Sequence, residues 1–334
     1  MTTTVPVGTP RGAITRFDPA TTSAFAACRI AQRDLAESDA RIVSVEADLG
    51  DCEGLPFRDA MPERFIDFGI AEASAVGAAA GMAMRGLRPF LNTFGVFALM
   101  RAAEQVRLDV CYAGVPVVIA GMFTGIAAGF SGPTHHAIED VAVARALPNL
   151  TVIAPADAVS AYDATVAAAA HDGPVYLRLG IEPGGQVYTG HQPFRIGRGR
   201  VLRDGPALTI VASGVTIVHT ALAAADRLAR RGIVVRVVDM PTIKPIDRDL
   251  LVASARWTGM VVTVEEHSTI GGLGGAVAEV LAEHAPVPMK MLGLPDAYVK
   301  QVGSYAEHLH HFGLDEQGIE NSVLDALASI GRGT

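Results

Sequence analysis

The chain has 334 residues, half of them hydrophobic and only 19% charged, enough for two ordinary domains each with its own core. Net charge is −8 and no Lys/Arg run exceeds two residues, which argues against a nucleic-acid groove or an anionic membrane surface. The cysteines Cys28, Cys52 and Cys111 lack metal spacing, no basic-then-apolar signal opens the chain, and no apolar run is long enough to span a membrane; a cytoplasmic protein is expected.

Apolar, β-branched runs of strand length fall at residues 42–47, 65–68, 89–93, 115–120, 151–153 and 175–179, separated by Ala-rich helical stretches. Continuous apolar strands alternating with helices predict a parallel sheet covered on both faces. Between 184 and 205 the composition shifts to Gly, Pro, Gln and Arg, which reads as a linker. The alternation then restarts, with strands at 208–212, 234–238, 260–264 and 288–292 and helices at 220–231 and 275–284. The predicted fold class is α/β, two consecutive domains with mostly parallel sheets. The first spans 1–185, a linker 186–205, and the second 206–334.

Ligands of open α/β sheets collect beyond the carboxyl ends of the strands, and the unusual residues fall there. Glu46 and Asp48 end the first strand, Glu72 follows the second, and Phe94 and Phe97 follow the third. Glu72 opens a helix of almost pure Ala, Val, Gly and Met, with nothing basic beside it in sequence. It reads two ways: as an acid whose proton affinity rises for want of solvation, or as a first-turn Glu facing the helix dipole. A Gly-rich loop after the fourth strand ends in Gly132-Pro133-Thr134-His135-His136. It reads as a ligand-facing loop or as a turn whose histidines cap the next helix.

Several phrases in order resemble the C-terminal half of a transketolase, from about residue 42 to 327. They are Glu46-Ala47-Asp48-Leu49, Gly69-Ile70-Ala71-Glu72-Ala73-Ser74, and Thr93-Phe94 followed by Phe97 and Arg101-Ala102-Ala103-Glu104-Gln105. Gly132-Pro133-Thr134-His135, Gly173-Pro174-Val175-Tyr176-Leu177-Arg178 and Val264-Glu265-Glu266-His267-Ser268 complete the set. The resemblance implies thiamine diphosphate chemistry, in which the cofactor supplies the carbanion and the protein positions and polarises it. It implies that Glu72 faces the pyrimidine ring nitrogen, a task suited to an acid in a dry, apolar place. Phe94 and Phe97 would wall the aminopyrimidine, although without the resemblance they read as ordinary core. Asp48 matches an acid near the cofactor at the subunit interface. His135 matches a histidine that hydrogen-bonds reacting oxygens or the cofactor amine, and His136 stands where Gln is more common.

The Glu265-Glu266-His267 triplet resembles a catalytic relay, but in this family it belongs to the C-terminal domain and implies packing. The Gly271-Gly272-Leu273-Gly274-Gly275 run lacks dinucleotide-loop spacing and reads as tight helix–loop packing.

Departures from the family pattern carry expectations too. No Gly-Asp-Gly occurs, so the diphosphate-binding half is absent, and Mg2+ (or Ca2+) is expected to be held mainly by a partner. With its start at Met1, the chain reads as one subunit of a split enzyme, an α2β2 heterotetramer with an N-terminal transketolase subunit. Positions at which transketolases grip a sugar phosphate hold Cys52, Phe123 and Ile181, and an expected acid is Ser131. Arg101 and Arg178 remain as expected anion contacts. These features imply transfer of a two-carbon ketol or acyl unit, from a sugar or keto acid donor, to a non-standard acceptor. The alternatives are the β subunit of a 2-oxo acid dehydrogenase and a non-catalytic scaffolding paralogue.

Overall fold

A computed structural model describes residues 17–331 except Asp51, Glu53 and Ala128. The first sheet has six parallel strands: β1 (Ile42–Glu46), β2 (Phe65–Asp67), β3 (Arg88–Phe94), β4 (Val118–Met122), β5 (Thr151–Ile153) and β6 (Val175–Arg178). They lie in the order β5-β6-β4-β3-β1-β2. β1, β4, β5 and β6 are buried throughout, as continuous apolar runs covered on both faces require. One face packs against helix Ala24–Ser38, started by Ser23 accepting from the Ala26 amide at 3.0 Å, and helix Ala158–Ala170. The helices Glu72–Met84 and Asp140–Ala146 contribute to the opposite cluster.

The second sheet contains β7 (Arg200–Arg203), β8 (Thr209–Ala212), β9 (Arg236–Asp239), β11 (Val261–Ser268) and β12 (Met289–Leu294), in the order β12-β11-β8-β9-β7. Four are parallel; β7 pairs antiparallel with β9 and lies within the segment that reads as linker in the sequence. Between β9 and β11 the chain leaves this sheet. Strand β10 (Thr242–Lys244) crosses to the first sheet and pairs antiparallel with β5, Thr242 opposite Ile153. No helix among the described residues is long and apolar enough to cross a membrane.

The connection between the units is fastened by carboxylates. Asp157 caps the helix Ala158–Ala170 with one oxygen and accepts from the amides of Val187 and Tyr188 with the other, at 2.9 and 2.7 Å. The Tyr188 hydroxyl donates to Asp239 Oδ2 at 2.6 Å, while Oδ1 of this fully buried residue has no hydrogen-bond partner among the described residues. Burial pushes the Asp239 carboxyl up to about 7.

The folded state therefore binds a proton more tightly than the unfolded chain, whose aspartates titrate near about 4. That stabilisation is complete below about pH 4 and disappears as pH rises through about 7. Urea unfolding at pH 5 and pH 8 is expected to show Asp239→Asn gaining about 2–3 kcal/mol over the native chain across that interval. Identical pH dependence in the two proteins would count against a buried, proton-binding Asp239.

Candidate active site

The order β2-β1-β3 reverses at β1, the kind of switch point at which open α/β sheets bind ligands beyond the carboxyl ends of their strands, here those of β1 and β3. Asp48 leaves β1 in a left-handed conformation (φ 52°) with an exposed side chain. Its amide donates to Asp67 Oδ1 at 3.1 Å, and the same oxygen accepts from the Gly69 amide at 2.8 Å. Asp67 thus ties the exit of β1 to the turn leading into helix Glu72–Met84. Nothing in the sequence singled it out.

Glu72 is 2% exposed, at the first position of that helix, which has no side-chain cap. The acid that is isolated in sequence has a cation in space. Arg101 Nη1 donates to both its carboxylate oxygens, at 2.8 and 2.9 Å. Arg101 comes from a segment with two π-helical stretches, Phe97–Arg101 and Val106–Tyr112, around the short α-helical piece Ala103–Gln105. Such wide turns occur frequently at functional sites. Here the geometry seats the guanidinium over the Phe97 ring, 4.1 Å from its centroid.

An aromatic cluster adjoins this pair. Phe94 lies 5.6 Å from Phe97 at a steep angle, and 5.1 Å from Phe123 in a stacked arrangement. The His135 ring stands edge-on at 5.3 Å from both Phe94 and Phe97. Thr134 Oγ1 and His135 Nδ1 are 2.9 Å apart, which orients the imidazole. Phe123 adopts φ 52°, a left-handed conformation costly for a bulky residue and common where a site demands it. Glu72, Arg101, Phe94, Phe97, Phe123 and His135 are therefore brought together. Cys52, half-buried, and Ile181 belong to the same apolar cluster as Phe94 and Phe123. Ser131 is exposed at the end of a short 3-10 turn. His136 is buried with its ring 5.8 Å from that of His308.

Arg178 is bonded to other groups of the protein. It is buried on β6, where Nε donates to Asp140 Oδ2 at 2.9 Å and Nη2 donates to the Ala137 and Glu266 carbonyls at 3.1 and 2.9 Å. Asp140 Oδ2 also accepts from Tyr176 at 2.8 Å. Nε and Nη2 of this guanidinium are thus committed to groups within the protein. The Glu265-Glu266-His267 triplet completes the brace. Glu266 Oε1 accepts from the Ile126 amide at 2.6 Å and Oε2 from Tyr305 at 2.6 Å, which pins the histidine loop to the second sheet. Glu265 accepts from the Leu273 and Gly274 amides at 2.6 and 2.7 Å, capping helix Leu273–His284. His267 Nε2 accepts from the Ala142 amide at 3.3 Å. A Cβ on Gly272 would lie 2.0 Å from Glu265 Oε2, which explains a glycine there without a nucleotide.

Two parallel-sheet units, the first with an acid and aromatic cluster at its switch point, have the build of a transketolase pyrimidine-binding domain followed by a transketolase C-terminal domain. Models of those domains match residues 20–181 and 197–319. The chain belongs to the transketolase family. It is 42% identical over 266 residues to the 6-deoxy-6-sulfo-D-fructose transketolase subunit SqwH of Clostridium sp. (strain MSTE9), covering 79% of this chain and 82% of that one. It is 38% identical over 299 residues to one of the subunits of the apulose-4-phosphate transketolase of Phocaeicola vulgatus, covering 87% and 93%. Among solved structures, a split gene transketolase described as an inactive β4 tetramer superposes with TM-score 0.85 at 42% identity, covering 92% of this chain and 99% of that one.

Breaking the Arg178–Asp140 pair should be costly, because one partner is left as an uncompensated buried charge. Asp140→Ala is expected to lose about 3–5 kcal/mol in urea unfolding, whereas the double change Arg178→Met with Asp140→Leu loses less than that. A smaller loss in the single variant than in the double would show that the pair does not brace the loop.

Proposed function

We propose that this chain is the C-terminal subunit of a split transketolase and supplies the pyrimidine side of a thiamine diphosphate site. The observation that carries the reading is the buried Glu72 carboxylate, which already receives a planar N–H donor stacked on Phe97. A site that accepts a guanidinium in this way has the chemistry to accept an aminopyrimidine, a flat heterocycle whose ring nitrogen needs a carboxyl partner. Thiamine diphosphate, when bound, would supply the nucleophilic carbon that two-carbon transfer requires.

The chain's own residues then have separate tasks. Glu72 holds its hydrogen bond to the ring nitrogen in a setting from which water is excluded. Phe94 and Phe97 fix the plane of the ring. His135, half-buried beside both, offers a hydrogen bond to oxygens of the reacting sugar or to the cofactor amine. Asp48, exposed at the mouth of the crevice, is suited to a contact across a subunit boundary.

An N-terminal partner subunit supplies the diphosphate contacts and the divalent metal, Mg2+ or Ca2+, in an α2β2 heterotetramer. The similar split-gene structure is described as an inactive β4 tetramer, which supports a C-terminal chain that needs its partner for turnover. We further propose a non-standard acceptor. Cys52, Phe123 and Ile181 line an apolar cluster where a phosphate would need donors, and Arg178 is committed to Asp140. The relatives named for 6-deoxy-6-sulfo-D-fructose and apulose 4-phosphate support a divergent sugar substrate.

Calorimetry with thiamine diphosphate and Mg2+ is expected to show binding only when this chain is mixed with its N-terminal subunit. Glu72→Gln should leave that assembly intact and lower turnover at least about 100-fold. Tight cofactor binding by the chain alone would overturn the two-subunit model. An indifferent Glu72→Gln would mean a scaffolding subunit, and release of CO2 with transfer of the remaining acyl group to a lipoyl acceptor, without a new carbon–carbon bond, would mean a 2-oxo acid dehydrogenase.

A further inference from the structure

The Glu72 carboxylate and the Phe97 ring, the two features assigned to the aminopyrimidine, are both engaged by Arg101. Its Nη1 donates to both carboxylate oxygens, and its guanidinium covers the Phe97 face at 4.1 Å. The burial of the two partners differs sharply, with the Glu72 side chain 2% exposed and that of Arg101 46% exposed. The acid is fixed at the root of a helix. The arginine approaches from the solvent side on a long side chain, and among the described residues it has no other hydrogen-bond partner. Everything that holds it in place is therefore everything the proposed ligand would use.

We propose that Arg101 is a resident stand-in for the aminopyrimidine, which orients and neutralises Glu72 while the site is empty and is displaced when the cofactor enters. This rests on the thiamine diphosphate reading. A guanidinium is flat, carries several N–H donors in one plane and stacks on aromatic faces, so it meets the same geometric demands as an aminopyrimidine. A lysine could neutralise the acid but could not cover the ring in the same way. The exchange has two consequences. A buried carboxylate is never left without a partner, which would destabilise the unassembled chain. After displacement the guanidinium lies at the solvent-facing mouth of the crevice with its donors unmet, so Arg101 becomes available to an anionic group of the substrate only once the cofactor is seated.

The test has two arms. In the isolated chain, thermal unfolding of the native protein, Arg101→Met, Glu72→Gln and the double variant forms a cycle. Arg101→Met is expected to lower the midpoint by several degrees and Glu72→Gln in that background to recover most of the loss; strictly additive effects overturn the proposal. In the mixture with the N-terminal subunit, calorimetry measures thiamine diphosphate affinity in the presence of Mg2+. Arg101→Met is expected to bind about ten-fold tighter than the native chain, because no resident donor has to leave. Equal or weaker binding by Arg101→Met, with the native mixture binding normally, overturns the stand-in role. If the native mixture itself fails to bind, the thiamine diphosphate reading fails, and this proposal with it.

Discussion

The buried ion pair between Arg178 and Asp140 is the interaction on which the rest of the architecture depends. A guanidinium 6% exposed must satisfy its donors within the protein, and each one it satisfies here belongs to a different part of the site. Asp140 opens the helix after the histidine loop, Ala137 belongs to the loop itself, and Glu266 lies on β11 of the second sheet. Tyr176 joins through Asp140, and its ring fills the space left by Gly95 and Gly121, where a Cβ would come within 3 Å of it. The exits of β3 and β4 can approach because those two positions lack side chains. Phe94, Phe123 and His135 thus meet at one point on account of a charge that touches none of them.

The same economy appears in the carboxylates of β11. Burial pushes Glu265 and Glu266 up to about 7, yet their oxygens serve backbone amides and a tyrosine rather than a reacting group. Perturbed carboxyls are enriched at functional sites, but structural networks perturb them equally well. In this chain burial raises Glu265 and Glu266 in the brace to the same level as Glu46 on β1 and Asp239 in the connection between the units. The arrangement around Glu72 is marked instead by geometry: a helix start, two aromatic rings and a stacked cation.

Much of this was legible in the sequence. The central strands are runs of apolar, β-branched residues, and buried parallel strands advertise themselves through composition alone. The polar residues of the candidate site fall just after those runs. Two edge strands were not legible. Arg200–Arg203 and Thr242–Lys244 are short and mixed in polarity, and they exist as strands only because a distant edge receives them. The π-helical stretches around Ala103–Gln105 carry no compositional signature, so the Glu72–Arg101 pairing, 29 positions apart, was invisible. Arg178 reads from sequence as an anion contact because its phrase resembles one. Its partner Asp140 emerges only when β6 and the loop helix are placed side by side.

Strand β10 has a consequence for how such a chain can be divided. It lies in the sequence between two strands of the second sheet, yet closes the edge of the first by pairing with β5. A gene cut within the connecting segment would give an N-terminal product with an open β5 edge, a template for unwanted pairing between molecules. The C-terminal product would carry a strand with no sheet to join. The two units are therefore interlaced, not strung together. A break between the two sheets leaves neither fragment whole.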